Sequence, residues 1–151
     1  PPPLNKATQQ QPPAEPIRKI LGLNEVVLHT GPPFRMIDVD LSVDGETVSR
    51  FAGDGLIVST PVGSTAHSLS AGGPILRKDL RAVVISPISA HTLTIRPVVD
   101  SANRTYELRV PRPNPGTSLV MDGQLICSLA AGDDTTDHSR KPFRHSADSP
   151  C

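Results

Sequence analysis

Aromatic residues are nearly missing from this chain: of 151 residues none is tryptophan, one is tyrosine and three are phenylalanine. A core without large rings has to be assembled from Val, Ile and Leu, which gather between Ile20 and Leu129. Net charge is missing too. Fifteen Lys and Arg balance fifteen Asp and Glu, leaving no cationic excess to neutralise a polynucleotide backbone, so nucleic-acid binding is disfavoured. The two cysteines, Cys127 and Cys151, have no metal-ligand spacing and fit a reduced, cytoplasmic protein. No run approaches the ~18 consecutive apolar residues of a membrane span. The N-terminus also lacks the basic-then-apolar order of an export signal. Neither a membrane partner nor secretion is expected.

Proline is plentiful instead, at 17 of 151, roughly twice the ~5% share of ordinary proteins. Much of it lies in the opening PPPLNKATQQQPPAEP, a composition of linkers with polyproline tendency. The closing GDDTTDHSRKPFRHSADSPC is polar and aperiodic. The expected organisation is a disordered linker over 1–20, a folded domain over 21–131 and a disordered tail over 132–151.

Between the ends the punctuation is that of β structure, with short apolar runs separated by turn dipeptides. Runs stand at Glu25 to Thr30, Arg35 to Val43, Thr47 to Phe51, Leu56 to Thr60, Ala82 to Ser86, Leu93 to Val99, Thr105 to Val110, Ser118 to Met121 and Gln124 to Leu129. In RMIDVDLSV, Ile37, Val39, Leu41 and Val43 alternate with Met36, Asp38, Asp40 and Ser42, the pattern of a strand with one buried face. Asp44-Gly45 and Asp122-Gly123 suit hairpin turns that need positive φ. Ser86-Pro87 and Arg96-Pro97 mark sheet edges or bends, because proline removes a ladder donor. Helix signals are scarce, the best at Thr65 to Ala71 and a weak one near Leu80. An all-β sandwich with one short helix follows.

The run from Asp54 to Pro74, DGLIVSTPVGSTAHSLSAGGP, has an order of residue types suited to a ligand: an apolar strand, a hydroxyl cluster, a Pro-x-Gly turn, more hydroxyls and a Gly-Gly stop. Gly63 at positive φ would leave the amides of Ser64, Thr65 and Ala66 facing a ribose or phosphate. Ser64 or Thr65 could equally be a plain N-cap, and these residues alone leave the two readings level. Other chemistries are weaker. His29, His67 and His91 supply types for a hydrolase, but the Gly-x-Ser-x-Gly elbow is absent. Asp38, Asp40 and His29 lack metal spacing, and the two aspartates alternate as solvated strand residues do.

Together, Leu23-Asn24-Glu25-Val26-Val27, Gly53-Asp54-Gly55 through Ser59-Thr60-Pro61-x-Gly63-Ser64-Thr65-Ala66, Ser70-Ala71-Gly72-Gly73-Pro74-Ile75, Ser86-Pro87-Ile88-x-x-His91-Thr92-Leu93 with Arg96-Pro97, and Asp122-Gly123-Gln124 closely resemble the C-terminal half of the NAD kinases. The resemblance implies a β-sandwich that packs against an α/β domain lying outside this chain. It implies transfer of the γ-phosphoryl of ATP or polyphosphate to the 2′-hydroxyl of the adenosine ribose of NAD, with Mg²⁺ or another divalent metal accompanying ATP in the complete enzyme, and assembly as a homo-oligomer. By the family's pattern Asn24 and Glu25 hold the ribose, and Asp54 accepts from an adenine amino group, often across a subunit boundary. Thr65, Ala66 and Ser70 line the base and ribose pockets. His67 stands where many members carry a stacking tyrosine. A lipid-kinase relative with a similar sandwich is argued against by the Asn-Glu pair and the Gly-Ser-Thr-Ala run.

The residue chemistry agrees with that pattern, since paired donors and acceptors suit a ribose diol and a carboxylate reads an exocyclic amine. One family motif, Gly-Gly-Asp-Gly-Thr, whose Asp acts as base, occurs nowhere in these 151 residues. No residue here takes its catalytic role. The expectation is a fragment or truncated product that binds part of NAD and turns it over poorly by itself. The alternative is a non-catalytic NAD(H)-binding module.

Overall fold

The computed structural model describes residues 20–91 and 95–129 and the backbone of 143–146. Its strands are β1 (Glu25–His29), β2 (Ile37–Val43), β3 (Glu46–Gly53), β4 (Gly55–Ser59), β5 (Ala82–Ile88), β6 (Val98–Ser101), β7 (Thr105–Arg109), β8 (Ser118–Met121), β9 (Gln124–Ser128) and β10 (Phe143–Ser146). A 3-10 turn (Gly63–Thr65) and one short helix, α1 (His67–Ser70), lie between β4 and β5. The strands form two sheets, ordered β6-β5-β4-β1-β8-β9 and β10-β7-β2-β3, and every pairing is antiparallel. This is the all-β sandwich with one short helix that the sequence implies.

The core between the sheets is aliphatic, as the shortage of rings requires. Val26 and Leu28 of β1, Leu56 and Val58 of β4, and Val83 and Ile85 of β5 meet Ile37, Val39, Leu41 and Val43 of β2 across it. Tyr106, the single tyrosine, is fully buried there, and its hydroxyl donates to the Ser101 carbonyl at 2.6 Å. Strand β2 buries every second residue, so Asp38 and Asp40 fall on the solvated face. There Arg50 pairs with Asp40 and Arg112 with Asp38, and among the described residues no group of His, Cys, Asp and Glu could hold a metal ion. Both Asp-Gly turns have positive φ at each residue, 51° and 86° at Asp44-Gly45 and 48° and 79° at Asp122-Gly123, the geometry of a tight hairpin.

The six-stranded sheet is covered on its second face as well. Val27, Ile57 and Val84, which point away from the sandwich core, are all buried, and the excursion from Thr60 to Leu76 folds back over β4 and β5. Every residue of β4 is therefore buried, and a strand buried on both faces reads as the continuous apolar run Leu56-Ile57-Val58.

The strand and helix runs differ in detail from those expected. The run expected from Leu93 to Val99 forms strand only from Val98, since Pro97 has no N–H to offer the ladder; Thr92 to Thr94 lie outside the described residues. The weak helix near Leu80 is a turn closed by the Leu80 amide on the Arg77 carbonyl, as a short polar segment cannot repay helix nucleation. Pro87 lies inside β5, opposite Leu56, but β6 pairs β5 only as far as Ile85, so its missing donor costs no ladder bond. The backbone of Phe143–Ser146, which the sequence places in the polar tail, lies against β7 as β10; the rest of the tail and residues 1–19 lie outside the described residues. No helix among the described residues is long and apolar enough to cross a membrane.

Candidate functional site

The segment Leu23-Asn24-Glu25 enters β1 at the sheet's rim, and its backbone is pinned from two sides. From the β8–β9 turn, the Asp122 carboxylate accepts three amide N–H groups: Leu23 at 2.6 Å on one oxygen, Asn24 at 2.7 Å and Glu25 at 3.0 Å on the other. The Asp122 amide in turn donates to the Glu25 carbonyl at 3.0 Å. Burial pushes the Asp122 carboxyl up, but the three amides outweigh it and hold the group below the usual carboxylate range. From the end of β4, the Thr60 amide donates to the Asn24 carbonyl at 2.9 Å, and the Thr60 hydroxyl lies 2.7 Å from the Leu23 carbonyl.

With the backbone so committed, the side chains of Asn24 and Glu25 are what this segment offers. The Glu25 carboxylate has an oxygen, Oε2, that is buried and has no hydrogen-bond partner. Most buried polar atoms find a partner, so this oxygen stands out as an acceptor with capacity to receive a donor.

The excursion after β4 meets this segment. Gly63 does not adopt the positive φ expected of it. It is glycine for proximity: a Cβ there would run into the Asn24 carbonyl oxygen. The expected free amides are also corrected, because the Ser64 and Ala66 amides close turns on Pro61 and Gly63. Nor do Ser64 or Thr65 cap α1; neither helical segment has a side-chain cap. Ser64 is fully buried, donating to the Pro61 carbonyl at 2.7 Å and accepting the Leu76 amide at 3.0 Å. That bond ties the two ends of the excursion together. Beneath α1, the buried hydroxyls of Ser68 and Ser86 meet at 3.2 Å, and Gly73 is packed so that a Cβ would lie 2.5 Å from Ser68 Oγ. The Gly-Gly stop works as expected, with Gly72 at φ 83°.

Burial sorts the residues of this run and of the β5 strand beneath it into two sets. Ser59, Ser64, Ser68 and Ser86 are buried and hold structure, whereas Thr65, Ala66, His67 and Ser70 are exposed. The structure brings Asn24 and Glu25 to the excursion that carries Thr65, Ala66, His67 and Ser70. It does not bring Asp54 there. Glu25 pairs with Ser59 at one end of the β1–β4 ladder and His29 with Gly55 at the other, so Asp54 lies beyond the far end. Four residue steps at ~3.3 Å already separate those ends by roughly 13 Å. Around Asp54 stand Thr30, whose amide it accepts, and the β5 terminus, where Ile88 accepts the Asp54 amide and the half-exposed loop continues to His91. Two residues that organise the rim, Thr60 and Asp122, carry no site role in the sequence reading. The available signal was Asp at a positive-φ turn, a type that commonly accepts backbone amides.

The class is that of an antiparallel β-sandwich with one sheet roofed by a hydroxyl-rich excursion and a rim that presents one unpartnered carboxylate oxygen. The family follows from comparison: residues 23–139 match the ATP-NAD kinase C-terminal domain, and the chain belongs to that family. Among relatives, it is 57% identical over 119 residues to the NAD kinase of Rhodopirellula baltica, covering 79% of this chain and 38% of that protein. It is 45% identical over 138 residues to the NAD kinase of Azotobacter vinelandii, covering 91% of this chain and 46% of that one. Among solved structures, yeast NADH kinase complexed with NADH superposes with a TM-score of 0.67 at 32% identity, covering 72% of this chain and 31% of that one. An NAD kinase from Archaeoglobus fulgidus in complex with ATP gives 0.64 at 38% identity, covering 70% and 41%. The chain therefore spans less than half the length of these relatives.

Proposed function

We propose that this chain is the NAD-holding half of an NAD kinase. In that reaction the 2′-hydroxyl of the adenosine ribose attacks the γ-phosphorus of ATP, the bond to the β–γ bridging oxygen breaks, and NADP, ADP and a proton result. The observation that carries the reading is the orphaned Oε2 of Glu25, the residue that follows Asn24 at the rim. A ribose diol supplies two donors and two acceptors, and a carboxylate next to an amide is the complementary set. Thr65, Ala66 and Ser70 would line the base and ribose, and His67 would lie against a base as a smaller stacking surface than tyrosine.

Asp54, at the far end of β4, would serve the dinucleotide held by a second copy of the chain, which makes a homo-oligomer part of the proposal. The described residues contain no cluster fit to hold a metal. Mg²⁺ or another divalent metal would accompany the ATP or polyphosphate co-substrate. Exposed, unpaired Cys127 suits a cytoplasmic setting.

Phosphoryl transfer is chiefly positioning and charge stabilisation, so a half that holds only the acceptor is expected to bind without efficient turnover. Calorimetric titration with NAD should show saturable binding that Glu25→Ala removes. Supplying the N-terminal part of a relative in trans should then raise NADP formation in a coupled assay. A second reading is a non-catalytic NAD(H)-binding module. Binding with no NADP formed even in trans would select it, and no binding at all would sink both.

A further inference from the structure

The rim has a residue that touches no ligand candidate yet fixes the two that do. We infer that Asp122 is a positioning residue: its carboxylate, by gathering the amides of Leu23, Asn24 and Glu25, holds the Asn24–Glu25 edge in the conformation that receives the dinucleotide's ribose. The inference rests on the NAD-holding role proposed above and adds to it a second group of residues on which affinity depends.

The geometry separates this role from ordinary turn capping. An aspartate in a hairpin turn commonly bonds amides within its own turn. Asp122 instead reaches 97–99 positions back along the chain, and both of its oxygens are used there. The Asp122 amide returns a bond to the Glu25 carbonyl, so Glu25 is gripped at both its N–H and its C=O by a single residue. Across the segment, Thr60 holds the Leu23 and Asn24 carbonyls. Leu23 is largely exposed, so no apolar packing of that side chain substitutes for the clamp. A carboxylate is the right group, since three donors converge on it and only a charged acceptor with two oxygens meets them all.

Asp122→Asn keeps size and shape but leaves one oxygen and turns an N–H₂ toward donors. The 151-residue chain with this change should bind NAD at least about tenfold more weakly, the scale of one charge-assisted bond. Amide hydrogen exchange should quicken at Leu23, Asn24 and Glu25 while Val26 to Leu28 in β1 keep their protection. Tyr106→Phe, which loses a buried bond away from the rim, serves as the destabilised control and should leave NAD affinity unchanged. Asp122→Asn binding as tightly as the parent chain, or exchange quickening evenly across the sheet, would overturn the inference. If the parent chain itself fails to bind NAD, the functional reading falls, while the exchange pattern still decides whether Asp122 orders this edge.

Discussion

Glu25 and Gly63 are the two rim positions where the proposed function and close packing make opposite demands on stability. A buried carboxylate oxygen without a partner lowers stability by about 1–3 kcal/mol. Glu25→Met, of similar size and apolar, is therefore expected to stabilise the chain by about 1 kcal/mol while abolishing NAD binding, as urea unfolding and calorimetry would read. A lower unfolding midpoint in Glu25→Met would mean that the carboxylate has a structural partner and is not held for a ligand. Gly63 works in the opposite sense. Because a Cβ at this position meets the Asn24 carbonyl, Gly63→Ala should cost about 1–3 kcal/mol, the range of overpacking, and should weaken NAD binding by displacing the Asn24 edge. An alanine accepted at no cost in urea would show that the excursion does not bear on this segment.

At the level of elements, the sandwich was legible in the sequence and the excursion was not. The alternation of Ile37, Val39, Leu41 and Val43 with polar residues could describe only a half-buried strand, and β2 buries those four. Asp44-Gly45 and Asp122-Gly123 named their turns because positive φ at both positions is a local requirement. The excursion escaped because its order is tertiary. Nothing in Gly-Ser-Thr-Ala says that Ser64 is buried and Thr65 exposed; that division follows from the Leu76 amide arriving at Ser64 Oγ from twelve residues away. Gly63 likewise declared itself glycine but not why, since contact with Asn24 comes from the segment entering β1, 39 positions earlier in the numbering. The buried Ser64 bonds lead to a test. Ser64→Ala removes the acceptor for the Leu76 amide and should cost about 1–3 kcal/mol. Faster amide exchange should be confined to 60–76, with β4 and β5 little changed. Protection lost equally in both sheets would show instead that the excursion unfolds only with the whole sandwich.

For the molecule as a whole, Asp122 and Tyr106 are displaced in titration toward opposite ends of the pH scale, and each adds one limb to the pH dependence of stability. Asp122 titrates below the ordinary carboxylate value because its amide partners outweigh burial. On acidification the unfolded chain therefore takes up a proton first, so the contribution of this group is fully present above about pH 4 and drains away as pH falls through its folded value. Tyr106 is displaced the other way. Burial, followed by the neighbouring Asp100, raises its hydroxyl far above the ordinary range. Its contribution is complete below about pH 10 and is lost as pH climbs beyond that, where the unfolded chain releases the phenolic proton and the folded chain resists. Urea unfolding followed across pH should thus give a plateau through neutrality with a limb on each side. Asp122→Asn should flatten the acid limb alone and Tyr106→Phe the alkaline limb alone. The two sites lie at the rim and in the core respectively and share no partner, so the double variant should show both changes added. An acid limb left unaltered by Asp122→Asn would show that the three amides do not bind this carboxylate in solution, and the ordering of Asn24 and Glu25 would then need another source.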